Sequence, residues 1–375
     1  MVGLSIPKDL FKVGIADTLG NAISAGFWFL IAALLSPEQY GEISYYIGIA
    51  GLLSYVSLIG TQNVLTVYSA KNLQLHATFY FMSLVTSIAC SLAIIILFYR
   101  VDTVFLLFAY VINTLAIGDL LGKKLYSSYS KYVLIQKALS FGLGIGFYFL
   151  FGVNGILYAL ALSYAMFGFR IYVGIRESRV DFPLFRSRIR FIANNYFINI
   201  IGGFSAQLDK LLTAPLLGFA VLGSYNLALQ VVTMMVAFSS IVFKYTLSHD
   251  ASGNQNLGLK RLSVLVSMCI TIGGILLSPL IIPTIFPKYV DVIGAIQIMS
   301  VDVFATTIMF VYTSRLLGLE KSGFVIIGFL IALFVMVIGI LTLGPIFKVL
   351  GIATAFVLST SSNAIFLVCA SRKIR

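Results

Sequence analysis

The chain has 375 residues, 60% of them hydrophobic and only 10% charged, with a mean hydropathy of +1.03. That is far too apolar for a water-soluble globular protein and leaves no stretch for a soluble domain. The formal net charge of +12 does not imply a nucleic-acid partner, because the basic residues are scattered over short segments rather than gathered in a basic domain.

A membrane-spanning helix needs about 20 predominantly apolar residues. The sequence predicts twelve, over residues 10–35, 40–68, 74–98, 103–122, 130–151, 153–175, 190–217, 222–246, 260–284, 289–315, 323–343 and 347–370. The first carries a polar stripe, Asp17, Asn21, Ser24 and Trp28, at i, i+4, i+7 and i+11, which is one face of a helix. Its turn into the second reads LLSPEQYG (Leu34–Gly41). Asp119 stands four residues before Lys123 at the end of the fourth helix, a spacing that predicts a surface ion pair. Arg170 reads as an interfacial anchor, and His76 has no ligand spacing around it. The sixth helix opens with GILYALALS (Gly155–Ser163). Cys90, Cys269 and Cys369 sit on separate predicted helices and read as small buried hydrophobes.

The basic segment Arg176–Arg190 contains Pro183, which discourages a continuous helix, and it divides the chain into equal sets of helices. The expected organisation is an N-terminal six-helix bundle over 1–175, a basic cytoplasmic linker over 176–189 and a C-terminal six-helix bundle over 190–375. The seventh helix is the most informative stretch. It holds an adjacent acid and base, Asp209 and Lys210, at membrane depth, where each charge costs roughly 2.5–3.5 kcal/mol on insertion scales. Asn195, Asn199, Gly202, Ala206, Asp209 and Thr213 share one polar or small face, and such a face points to protein or to water rather than to lipid. The turn that follows, LLGFAVLG (Leu216–Gly223), repeats the spacing of LLSPEQYG. Asn226, Gln230 and Thr233 form a stripe in the eighth helix, and Asp302 heads one in the tenth with Thr306 and Thr313. Pro215, Pro279, Pro283 and Pro287 mark kinks or helix ends. The twelfth helix opens with GIATAFVLS (Gly351–Ser359), which shares G-I-x-x-A-x-x-L-S with the sixth. These matches predict a duplication with parallel halves and a central cleft between them.

Of the 25 Lys and Arg residues, a cytoplasmic N-terminus leaves only Arg100, Lys288 and Lys348 outside and Lys210 within the membrane. This asymmetry predicts a multi-pass protein of the cytoplasmic membrane with both termini inside. Registering the halves on their Leu-Leu pairs sets Asp17 opposite Asn199 and Trp28 opposite Lys210. Such a surface suits a phosphate on Lys210, sugar hydroxyls on Asn and Asp, and a ring face on Trp28. Asp209 and Asp302 are candidate coupling groups for a proton or sodium ion. No nucleophile–base spacing, metal-ligand cluster or phosphate-cradling glycine loop is visible, so enzyme chemistry, a metal and a cofactor are not expected.

LDKLLTAPLLGFAVLGSYNLALQV (Leu208–Val231) resembles the Asp-plus-basic, Leu-rich, Gly-x-Tyr signature of Wzx-like polysaccharide flippases, in the multidrug/oligosaccharidyl-lipid/polysaccharide superfamily. Ser278–Ser300 is similar to that family's Pro-rich ninth helix and the motif after it. LLSPEQYGEIS (Leu34–Ser44) is similar to its first turn, and RLLGLEKSG (Arg315–Gly323) to its turn after the tenth helix. The resemblance implies an all-α integral membrane protein, with twelve helices in two V-shaped, MATE-like bundles. It also implies flipping of a polyprenyl-linked oligosaccharide to the outer leaflet during surface-polysaccharide synthesis. Membrane lipids and other polysaccharide-assembly proteins are the further partners expected. Two rivals stand beside it. One is a multidrug or small-cation exporter of the same architecture, with Asp17 on the cargo or coupling ion. The other is a membrane-bound polysaccharide polymerase or ligase, which the short outer loops disfavour.

Overall fold

The computed structural model describes residues 8–71, 73, 75–177, 179–251 and 257–373, and regular structure among them is entirely helical. The helices are α1 (Lys8–Leu34), α2 (Pro37–Ser57), α3 (Gln62–Ala70), α4 (His76–Phe98), α5 (Val101–Gly122), α6 (Tyr126–Phe151) and α7 (Gly155–Ser163). They continue as α8 (Gly168–Glu177), α9 (Phe182–Ser187), α10 (Ile189–Leu217), α11 (Phe219–Ala251), α12 (Leu257–Ile285), α13 (Ile293–Gly318) and α14 (Ser322–Lys373). Large apolar side chains face outward along them, among them Ile96, Leu97, Phe149, Leu150 and Leu280, each at least two-thirds exposed. In water that surface would drive aggregation; in a bilayer it is the solvated face. This is a multi-pass integral membrane protein.

Nine helices among the described residues are long and apolar enough to cross a bilayer, or ten when the bent pair α2 and α3 is taken as one. Twelve were expected, and three local features account for the difference. The second predicted helix breaks between Ser57 and Gln62 with a 42° bend. At the break, a side chain on Gly60 would collide with the Phe79 ring, and Thr61 caps the new helix by accepting from the Val64 N–H at 3.2 Å. The seventh predicted helix forms over 29 residues as α10, but its polar stripe keeps it out of the apolar set. The last two predicted helices run on as α14, 52 residues interrupted where Lys348 turns to φ 50°, ψ −123°. A turn expected at 344–346 therefore falls a few residues later. Pro183, expected to break structure, instead starts the short helix α9, with Asp181 accepting from the Leu184 N–H at 2.8 Å. Pro215 lies inside α10, and Pro279 and Pro283 lie inside α12.

By internal contacts the chain falls into two compact units, residues 1–28 with 45–208, and residues 29–44 with 209–375. In the first unit α5 is the central helix, packed by α3, α4 and α7; in the second α13 holds that position against α11, α12 and α14. These two are also the most enclosed of the long helices.

The duplicated motifs make duplicated contacts. A Cβ on Gly155 would overlap the carbonyl of Phe147, eight residues earlier, and a Cβ on Gly351 would overlap that of Leu343, again eight earlier. Both glycines let a helix start directly over the end of the preceding one. The serines that close the motif bond to that preceding helix: Ser163 joins Ser140 at 2.8 Å and Gln136 at 3.1 Å, and Ser359 donates to the Ala332 carbonyl at 2.8 Å. In the second unit the two Leu-Leu turns meet each other. Gly41 lies against the carbonyl of Phe219, and Gly223 lies against that of Pro37. Each glycine thus sits on the carbonyl four residues ahead of the other, so the contact is reciprocal. Ser36 and Gln39 hold the first turn with a capping box, their bonds 3.1 and 3.3 Å long.

Ionised side chains buried among the helices are gathered in clusters. Asp119 is 1% exposed rather than on the surface, and it takes Arg170 at 2.7 Å, Lys123 at 3.0 Å and His76 at 3.3 Å. In the second unit Asp250 accepts twice from Lys260, at 2.7 and 2.6 Å, and once from Ser314 at 2.6 Å. Removing one partner from such a pair leaves an uncompensated buried charge and costs about 3–5 kcal/mol.

The turn before Gly155 uses Gly152 at φ 69°, and the equivalent turn before Gly351 uses Lys348 at φ 50°. Glycine adopts that conformation without penalty, whereas a side chain there stores about 1–3 kcal/mol. Lys348→Gly is therefore expected to stabilise the protein by about 1 kcal/mol net of glycine's greater unfolded-state freedom. Thermal unfolding in detergent checks this, and an unchanged or lower midpoint would remove the account of this turn.

Candidate functional site

Within the first unit lies a cavity of about 560 Å³. One wall comes from α2, where Gly51 provides room: its Cα approaches Gln207 so closely that a Cβ would stand 3.1 Å from the amide nitrogen. Tyr55 lies one turn further along the same helix. The break after Ser57 opens the second wall, because it frees Thr61, Gln62 and Asn63 at the start of α3 to face the space. Tyr110, Asn113 and Thr114 of α5 form the third wall, and Asn195, Asn199, Gly202 and Gln207 of α10 the fourth. Among the described residues, none that lines it is an Asp, Glu, Lys, Arg or His.

The lining is thus neutral but rich in donors and acceptors. Asn195 donates to the Phe191 carbonyl of its own helix at 2.9 Å, and Asn199 makes a long 3.4 Å bond to the Tyr55 carbonyl. Thr114 bonds the Tyr110 carbonyl at 2.9 Å. Among the described residues, the side-chain amides of Gln62, Asn63 and Asn113 bond to no protein group, so their capacity is left for a guest or water. Two tyrosine rings add flat apolar faces with a polar edge.

Of the residues singled out in the sequence, Asn195 and Asn199 line this cavity, with Gly202 of the same stripe. Asp17 is half-buried on α1 and accepts from the Tyr129 hydroxyl at 2.8 Å. Asn21 is exposed and Ser24 half-buried on the same helix, and Trp28 stands edge-on to Phe27 at 4.9 Å. The α10 stripe divides after Leu208, so Asp209 and Lys210 belong to the second unit. Asp209 accepts from the Tyr225 hydroxyl at 3.0 Å and from the Lys210 backbone N–H at 2.8 Å. The acidic residue and the Gly-x-Tyr tyrosine of the Leu208–Val231 signature therefore meet in space. Gln230 is half-buried on α11, and Asp302 is buried on α13, accepting from Thr306 at 2.9 Å.

Sequence reasoning missed Gln62, Asn63, Asn113, Thr114 and Gln207. The signal was available for the first pair: Thr61-Gln62-Asn63 is a run of three consecutive polar residues inside the predicted helix 40–68. It also missed that Ser69 bonds His76 at 2.6 Å beside Asp119. That Ser/His/Asp grouping is no proton relay, because serine and carboxylate both contact Nε2 of the ring, whereas a relay needs them on opposite nitrogens.

Neither a protein-family model nor a curated protein matches the sequence. Solved structures do match the fold. One is described as the inward-facing conformation of a multidrug-resistance MATE family transporter of the MOP superfamily. It has a TM-score of 0.68 and 16% identity, and the match covers 95% of this chain and 94% of that one. A second is the lipid II flippase MurJ in an inward closed conformation, with a TM-score of 0.78, 11% identity, and 96% and 87% of the two chains covered. The chain shares the fold of both. A third structure, of a MOP superfamily transporter from Pyrococcus furiosus, has a TM-score of 0.60 and 15% identity over 98% of this chain and 93% of that one. It is described as having a binding pocket of reverse polarity that suggests a different function. All three are described as transporters or flippases, none as an enzyme.

Gly202 has nothing within 4 Å of where its Cβ would lie, and it faces the cavity. Gly202→Ala is expected to fold normally and gain up to about 1 kcal/mol from helix propensity. Gly202→Phe is expected to fold as well, but to fill the space and exclude any small molecule from it. Expression and thermal midpoint of both variants, set against binding of saccharide probes by each, check this; undiminished binding by Gly202→Phe would mean the cavity is not used.

Proposed function

We propose that this protein is a flippase moving a polyprenyl-linked oligosaccharide from the cytoplasmic to the outer leaflet by alternating access. What carries the reading is the neutral cavity lined by amides, hydroxyls and tyrosine rings, within the ~300–1,000 Å³ range of small-molecule sites. Amide and hydroxyl groups pair with sugar hydroxyls, and aromatic faces accept the apolar face of a sugar ring. The fold shared with a lipid II flippase supports the lipid-linked part of the proposal. The rival, export of small cations, is less well supported, because no carboxylate lines the cavity.

In this reading the chain crosses the membrane twelve times. α10, at 29 residues, is long enough to span at 1.5 Å per residue, and Lys348 divides α14 into two spans. Both termini are cytoplasmic, by the distribution of Lys and Arg. By the sequence the two six-helix bundles span 1–175 and 190–375, joined by the basic linker 176–189. Asn195 and Asn199 bind the sugar, Lys210 takes a carrier phosphate, and Trp28 with Asp17, Asn21, Ser24 and Gln230 completes the polar path. Asp209 or Asp302 couples transport to a proton or sodium gradient.

Depleting the protein is expected to make cytoplasm-facing lipid-linked sugar accumulate; no accumulation would refute the proposal. In reconstituted vesicles, the Gln62→Leu/Asn113→Leu double variant removes two hydrogen-bonding side chains. It should lose about 2 kcal/mol of recognition, roughly thirtyfold in flipping at limiting substrate. Coupling is tested separately by Asp209→Asn and Asp302→Asn with the gradients collapsed. One variant should become insensitive to the gradient, and unchanged transport by both would eliminate coupling through these carboxylates.

A further inference from the structure

We infer that the sugar held in this cavity is uncharged, and that the site discriminates against saccharides bearing an ionised carboxylate. The inference rests on the flippase proposal and narrows its substrate class. It follows from the absence of any Asp, Glu, Lys, Arg or His among the described lining residues contributed by α2, α3, α5 and α10. Elsewhere in the same unit, each buried carboxylate is met by opposite charge. Asp119 has Arg170 and Lys123, and Asp102 has Arg100 at 2.7 Å. This unit therefore meets its buried carboxylates with opposite charge, and it supplies no such compensation at the cavity.

A uronate entering the cavity would exchange its hydration for amide and hydroxyl dipoles alone. A neutral hexose would exchange water for groups of matching strength. The two ligands differ by little in shape, since a hexuronate carries a carboxylate where the hexose carries a hydroxymethyl group. Their discrimination is thus a matter of charge. Tyr55 and Tyr110 serve either ring equally and do not alter the comparison. The carrier's own phosphate is the other anion of the cargo. The lining offers it no cation, so in this arrangement the phosphate stays outside the cavity while the sugar enters.

The test uses the full-length chain in vesicles with two probes, a polyprenyl-diphosphate carrying a glucose disaccharide and the same lipid with the terminal glucose replaced by glucuronate. Flipping is followed by exposure of the sugar to a membrane-impermeant oxidant. The neutral probe should flip at least tenfold faster. Asn199→Lys, or Asn113→Lys should the first not fold, should narrow that ratio by raising the rate for glucuronate. Equal rates for the two probes, or a faster glucuronate, would overturn the inference and leave the flippase reading standing. Failure of both probes to flip would remove the flippase reading and this inference with it.

Discussion

An ionised carboxylate without a counter-charge is costly where Asp119 and Asp250 are buried, and each unit places cations beside its own. Asp119 ends α5 and draws α4 through His76 and α8 through Arg170. Asp250 near the end of α11 draws the start of α12 through Lys260 and the end of α13 through Ser314. Hydrophobic burial does little to choose among helix arrangements inside a bilayer, since lipid tails are as apolar as leucine. Polar contacts and close backbone approach must supply the specificity instead. In each unit those contacts converge near the ends of the central helix and its neighbours, while the long apolar faces between them are left to the lipid.

Against that background the cavity is distinctive for what its walls omit. The chain has 38 side chains of the Lys, Arg, Asp and Glu types (25 basic and 13 acidic), and none of those among the described residues lines it. Its polarity comes from groups that bond in two directions and carry no net charge, so it accepts a hydroxyl in many orientations. The break between α2 and α3 creates this: a continuous helix would carry Thr61, Gln62 and Asn63 around the helix rather than presenting them together. Structure and chemistry are linked here by a single interruption of the hydrogen-bond ladder.

Much of the fold was legible in the sequence because membrane helices are written in runs of apolar residues, and the positions of most helices follow directly. The shared motifs also mark close backbone approach, at Gly41 and Gly223 and at Gly155 and Gly351, where only glycine fits. What could not be read was where helices bend without proline, since the α2–α3 break depends on Gly60 meeting Phe79, a residue on another helix. The burial of Asp119 was misread for a related reason: its spacing to Lys123 is a local signal, while Arg170 reaches it from 51 positions away. The site was half legible. Asn195 and Asn199 announced themselves by periodicity on one helix, but the amides facing them come from α3 and α5, and one helix's pattern does not tell which neighbours it meets.

The reciprocal seat of Gly41 on Phe219 and of Gly223 on Pro37 limits what either position can hold. A methyl group at either glycine would overlap a backbone carbonyl, which cannot turn aside as the end of a flexible side chain can, so even alanine would have to push the two turns apart.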